Sequence, residues 1–287
     1  MRDDSEDLAF FILHPSTFIL SPHGDSQPMF EGTLHCVGLG LAALAAGAVN
    51  SIAGGGTLLT FPGLLTAVSP VVANGTSTVA LVPGSLSAAW GYRREMRGQR
   101  RWLVLLALPS IAGGVVGSLL VIRLDPRYFD SLVPWLILAA TTLFLCQPFL
   151  MRLARPGGST SSRASTVAGL VVLQFLVAVY GGYFGAGIGI LMLSGLGLMR
   201  LGDIHAVNGI KNFLAVCING VSVAVFALHG AIDWRYAGLM APSAIVGAYL
   251  GSRLARRLDR RLIRLLVVGL GFALAGHFLI RRWINGS

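Results

Sequence analysis

The chain has 287 residues, of which 54% are hydrophobic and only 12% charged. Mean hydropathy is +0.73. A soluble domain carries about twice that charged fraction, and several stretches of roughly 20 residues lack any charge, long enough to cross a bilayer as helices. These features exclude an ordinary soluble enzyme and predict an all-α polytopic membrane protein.

The formal net charge is +10, and Lys211 is the only lysine among 22 basic residues. The arginines cluster in short loops between apolar runs, so they read as orientation signals facing anionic lipid. No aromatic-interleaved basic patch suggests a nucleic-acid partner. Cys36, Cys146 and Cys217 lie in apolar segments without ligand spacing and read as packing residues.

Residues 1–32 hold six acidic residues against Arg2 alone. A signal peptide opens with a basic stretch, so this region reads as a poorly ordered or interfacial leader. The apolar segments after it fall into two groups of five. The first group is Leu34–Ala53, a short Thr57–Ala67, Val71–Tyr92, Trp102–Ile122 and Phe129–Met151. The second is Thr166–Phe184, a short Ile188–Met199, Ala206–His229, Tyr236–Leu254 and Leu262–Ile280. The expected organisation is a membrane repeat over 33–152, a Gly/Ser-rich linker over 153–165 and a second repeat over 166–282.

Loop charge sets the expected orientation. Between the third and fourth segments of the first group stand five arginines and Glu95, whereas the matching loop of the second group balances Asp233 with Arg235. The next loop reverses the order: Arg123 and Arg127 face Asp125 in the first group, and six arginines face Asp259 in the second. Arginine-rich short loops stay in the cytoplasm. The two groups are therefore expected to be inverted repeats, with both termini outside the cell and the linker inside. This arrangement implies a multi-pass protein of the inner or plasma membrane.

A motif recurs at matching places. The first copy is Asn50-Ser-Ile-Ala-Gly54-Gly55-Gly56-Thr57, then Asn74-Gly75-Thr76-Ser77-Thr78. The second is Tyr183-Phe-Gly-Ala-Gly187-Ile-Gly189, then Asn208-Gly209-Ile210-Lys211-Asn212. Glycines break a helix and let backbone approach a ligand, and doubled broken helices line the sites of many transporters; close helix packing is the plainer use of such glycines. The Asn-Gly runs sit at the starts of long apolar segments, where neutral donors and the helix dipole favour an anion, although simple capping needs only one such residue. Lys211 is an intramembrane cation, hence a candidate site residue, unless it snorkels to the interface. Asn50 lies in an apolar run and lines either the cavity or a helix contact.

None of the 12 acidic residues falls in mid-segment. Cation pumps and many proton relays need one there. The candidate substrate-binding set is Asn50, Gly54, Gly55, Gly56, Asn74, Thr76, Ser77, Gly187, Gly189, Asn208, Lys211 and Asn212. No catalytic constellation, metal spacing or phosphate loop occurs, so no enzyme activity, metal or cofactor is expected. The residues do not distinguish a proton from a sodium ion as coupling ion, nor define an oligomer.

The run from Asn50 to Pro62 with Ala73-Asn74-Gly75-Thr76-Ser77 resembles the sulfite exporter TauE/SafE family: a glycine-rich turn, an apolar run with proline, then a small residue and Thr-Ser. The resemblance covers about 34–281. It implies a permease exporting sulfite or organosulfonates such as sulfoacetate. In the second copy Pro62 has no counterpart, and Ile210-Lys211 replaces Thr-Ser, which bears on anion preference. An anion channel and a non-transporting membrane scaffold are the alternatives to a secondary transporter.

Overall fold

The computed structural model describes residues 29–52, 54–153, 163–197, 204–254 and 260–284. Among these residues there are ten helices and no strand. They are α1 (Met29–Ile52), α2 (Thr57–Leu64), α3 (Pro70–Gly91), α4 (Arg100–Arg123), α5 (Pro126–Leu153), α6 (Arg163–Tyr183), α7 (Ile188–Gly197), α8 (Ile204–Leu228), α9 (Trp234–Leu254) and α10 (Arg260–Ile284). By contact the chain divides into Met1–Leu34 and His35–Ser287. The helix packing and the candidate site lie within the second unit.

The helix starts are written locally. Pro70 stands at the first position of α3, where its missing N–H and fixed φ cost nothing. Asp125 accepts from the Arg127 amide ahead of α5, and Asp233 from the amides of Arg235 and Tyr236 at the start of α9. Several helices outrun their apolar stretches by a few residues, because backbone bonding continues through flanking polar residues. With 8 and 10 residues, α2 and α7 span only about 12–15 Å, less than half of a ~30 Å hydrocarbon core.

Among the described residues, three stretches are long and apolar enough to cross a membrane: Arg100–Arg123, Pro126–Cys146 and Ala206–Leu228. Shorter apolar stretches occupy His35–Ser51, Val167–Tyr183 and Val267–Ile280. Large side chains such as Leu41, Leu108, Leu176 and Ile245 are exposed. An outward apolar coat of this kind suits lipid, where it carries no hydrophobic penalty.

Inside, close packing rests on small residues. A Cβ on Gly47 would lie 2.1 Å from the Ala244 carbonyl oxygen, and one on Gly247 would lie 1.9 Å from that of Leu44, so α1 and α9 touch backbone to backbone. Between α4 and α6 the same holds: a Cβ on Gly117 would lie 2.0 Å from the Val179 carbonyl oxygen, and one on Gly182 2.3 Å from that of Gly114. Further, α4 packs on α8, α9 on α3, α3 on α8, α10 on α5 and α2, and α5 on α7. The short helices lean on the long ones next in the chain, α2 on α3 and α7 on α8. One apolar cluster gathers Phe61, Phe129, Phe144, Phe184 and Phe226, and the other centres on Leu106, Ile188, Met192, Ile210 and Ile218.

Candidate functional site

The glycine-rich runs are the gaps between α1 and α2 and between α6 and α7. Gly54, Gly185 and Gly187 take φ of +75°, +79° and +80°, values an L side chain rarely adopts. The two gaps meet. A Cβ on Gly54 would stand 2.4 Å from the Gly189 Cα, and one on Gly55 would enter the Phe144 ring at 1.9 Å. The sequence pattern places these runs at corresponding points of two halves; the tertiary structure puts them against each other.

Asn50 holds its own gap together. Its Nδ2 donates to Ser85 Oγ at 2.9 Å, and its Oδ1 accepts from the Gly55 amide at 3.3 Å. Lys211 does not snorkel. It is 1% exposed, and its Nζ donates to the carbonyls of Asn50 (3.2 Å) and Ser51 (3.4 Å). The only lysine of the chain thus reaches from α8 to the last turn of α1, where the orphan carbonyls of a helix end favour a cation.

The other gap has a different partner. Asn74 Nδ2 donates to the Tyr183 carbonyl at 3.0 Å, at the end of α6. Ser77 pairs with the Thr60 hydroxyl at 2.5 Å, and Thr60 also reaches the Gly56 carbonyl. Tyr180 donates to the Ala186 carbonyl at 2.8 Å. Asn208 and Asn212 are buried on α8, Asn212 beside Lys211 in sequence. Among the described residues, Asn74 Oδ1 and Asn212 Nδ2 are buried without a hydrogen-bond partner.

The structure redistributes some of the expected set. The Asn-Gly runs lie in the second and later turns of their helices, since α3 begins at Pro70 and α8 at Ile204. Side chains rather than free helix-end amides are therefore what they present. Thr76 is engaged elsewhere: its Oγ1 accepts from the Asp233 amide at 2.9 Å and anchors the turn into α9. Thr57, Thr60, Ser85 and Tyr180 belong to the surroundings of the gaps and were not singled out from sequence. Thr57 and Thr60 come directly after the glycine run, a usable signal; Ser85 becomes visible only through Asn50. A second doubled pair lies inside the helices: Pro109-Ser110 in α4 and Pro242-Ser243 in α9. Ser110 there accepts from Gln174 of α6 at 2.8 Å. Arg200 and Asp203, which the sequence places between α7 and α8, lie outside the described residues.

The buried polar side chains are Ser, Thr, Asn, Gln and Lys211, with no Asp or Glu among the described residues. Nor do the described residues bring three or more His, Cys, Asp or Glu together as a metal site would need. The two broken elements touch at Gly54 and Gly189, and one buried lysine side chain caps the end of α1 beside them. The model of the family described as "Sulfite exporter TauE/SafE" matches residues 39–278. The chain belongs to this family. It is 34% identical over 225 residues to a "Probable membrane transporter protein" of Haemophilus influenzae, covering 76% of this chain and 82% of that one. Another, from Sinorhizobium sp, is 32% identical over 253 residues, 85% of this chain and 95% of the relative. A third, from Escherichia coli K12, is 28% identical over 230 residues, 77% of this chain and 79% of the relative. No solved structure matches. As a TauE/SafE member the chain is a membrane transporter, and the meeting gaps are where its polar chemistry is concentrated.

Proposed function

We propose that this transporter is a multi-pass protein of the inner or plasma membrane that exports a small anion by alternating access. Sulfite or an organosulfonate such as sulfoacetate is the leading substrate class. The observation that carries the reading is the buried Lys211 ammonium at the end of α1, beside the first gap, in a buried set free of carboxylates among the described residues. A cation held in low dielectric attracts an anion far more strongly than the same charge in water.

The mechanism rests on an inverted-repeat plan, for which the helix contacts and loop charges speak. On exchanging α1–α5 with α6–α10, the α4–α6 contact becomes α9–α1, α4–α8 becomes α9–α3, and α5–α7 becomes α10–α2. The loop arginines give the halves opposite orientation. Rocking of one half against the other would open the junction to each side in turn. Gly54–Gly56, Gly187 and Gly189 let backbone approach the substrate; Asn50, Asn74, Ser77, Asn208 and Asn212 supply hydrogen bonds, and Lys211 supplies charge.

The test is anion flux in proteoliposomes. Sulfite or sulfoacetate should move saturably and show counterflow. Lys211→Met, which keeps the chain length and removes the charge, should lower the rate at least tenfold. Wild-type flux in that variant refutes the site, and passive, non-saturating flux favours a channel.

A further inference from the structure

The segment joining α3 to α4, residues 92–99, has two unlike faces. Its turns are closed by backbone bonds from the Met96 amide to the Tyr92 carbonyl at 3.1 Å and from the Gln99 amide to the Met96 carbonyl at 3.0 Å. Tyr92 and Met96 are half-buried and rest on α8: a Cβ on Gly209 would lie 2.6 Å from Met96 Cγ and 3.0 Å from Tyr92 Cβ. Arg93, Arg94 and Arg97 are exposed, and the exposed Arg100 and Arg101 follow at the start of α4. Against these five arginines, residues 92–102 hold a single acid, Glu95.

One of these arginines is held in a fixed place. Arg93 Cζ lies 4.8 Å from the centroid of the Trp90 ring, and its Nη1 donates to the Trp90 carbonyl at 2.9 Å. Trp90 is 68% exposed, and Leu86, one turn earlier on the same face of α3, is exposed too. The end of α9 repeats the arrangement. Arg253 Cζ lies 4.5 Å from the centroid of the Tyr249 ring, which is 46% exposed, and Val246 is exposed one turn earlier. Both pairs stand at the same end of the helices. A Cβ on Gly75 would lie 2.1 Å from the Ala231 carbonyl oxygen just ahead of α9, and one on Gly84 3.0 Å from that of Ala244, so α3 and α9 run side by side in one direction.

We propose that the C-terminal ends of α3 and α9 bind anionic phospholipid, with Arg93 and Arg253 on lipid phosphates, Trp90 and Tyr249 at the headgroup boundary, and Leu86 and Val246 along the acyl chains. A planar guanidinium pairs with a phosphate through two parallel N–H bonds. Lying on an aromatic ring orients it beforehand and leaves donors at its edge free. Trp and Tyr are suited to the bilayer interface, and clustered arginines beside it attract anionic headgroups. Five arginines against Glu95 favour a lipid of net negative charge over a zwitterionic one. The exposed aliphatic side chains one turn from each ring call for an acyl chain, which a free phosphate lacks. Because Tyr92 and Met96 rest on Gly209, two residues before Lys211, a lipid on this segment would also steady the start of α8. Lipid binding here is independent of which anion the transporter carries.

The experiment is thermal unfolding of the purified, delipidated full chain in non-ionic detergent, titrated with short-chain phosphatidylglycerol, short-chain phosphatidylcholine or inorganic phosphate at constant ionic strength and pH. A ligand of the folded state raises Tm by mass action. Phosphatidylglycerol should raise Tm saturably, and the other two should not. Arg93→Gln combined with Arg253→Gln should weaken the apparent phosphatidylglycerol affinity about tenfold. Arg93→Lys combined with Arg253→Lys keeps the charge but loses the flat stack, and should weaken it about threefold. Arg123→Gln removes a charge at the far end of α4, about 35 Å from Arg100, and should leave the response intact. Equal shifts with both lipids, a full shift with phosphate alone, or a full response in the glutamine or the lysine pair overturns the inference. So does an equal loss in Arg123→Gln, because net charge rather than the stacked arginines would then explain the binding.

Discussion

Gly54 and Gly187 occupy matching points of the two gaps and share one backbone conformation, φ +75° and +80°. Alanine at either position pays for the left-handed backbone, about 1–2 kcal/mol. Their surroundings differ. At Gly54 the new methyl would sit 2.4 Å from the Gly189 Cα, a backbone atom that cannot rotate away, whereas at Gly187 the nearest atom is at 3.8 Å. Overpacking of this kind costs about 1–3 kcal/mol more. Gly54→Ala should thus lose roughly 2–5 kcal/mol and Gly187→Ala about 1–2 kcal/mol. Gly238→Ala, on α9 with nothing within 4 Å, serves as the control. There alanine should be neutral or stabilise by about 0.5–1 kcal/mol. Thermal unfolding in detergent gives the order directly. Gly54→Ala is also expected to stop anion flux, because the two gaps could no longer approach. Equal losses at positions 54 and 187 would refute the meeting of the gaps, since strain alone would then account for both.

Three other outcomes rest on particular contacts. Thr76→Val removes the acceptor of the Asp233 amide and should lower stability by about 1–3 kcal/mol, seen as a lower Tm, while Lys211→Met acts mainly on flux. Gly117→Ala drives a methyl to 2.0 Å from the Val179 carbonyl; it should separate α4 from α6 and markedly reduce the folded yield, whereas Gly169→Ala, with nothing within 4 Å, should express like wild type. Gln174→Leu breaks the bond to Ser110 and should cost about 0.5–1.5 kcal/mol by thermal unfolding.

The helical plan was legible because its signals are local. Charge-free runs and the glycine runs at 54–56 and 185–189 act within a turn or two of chain. They placed ten helices and two short ones among them, with ends displaced by a few residues where backbone bonding carried on into polar sequence. The doubled motif likewise marked Asn50, Asn74 and Lys211 as unusual residues before any contact was known.

Their partners were not legible, because no local pattern encodes a contact across 100 residues or more. Lys211 could snorkel or point inward by sequence; its bonds to Asn50 and Ser51, 161 and 160 residues away, depend on how α8 packs against the end of α1. Thr76 looked like a neighbour of Ser77 in one cradle, yet successive residues of a helix face different directions, and α9 claimed its hydroxyl. Sequence alone determined that the chain is helical, apolar, doubled and short of buried acid. Only the tertiary structure decided that the two gaps touch and that the helix end before one receives the Lys211 ammonium while the helix end before the other receives the Asn74 amide, because both results depend on which helix ends the packing of small residues brings together.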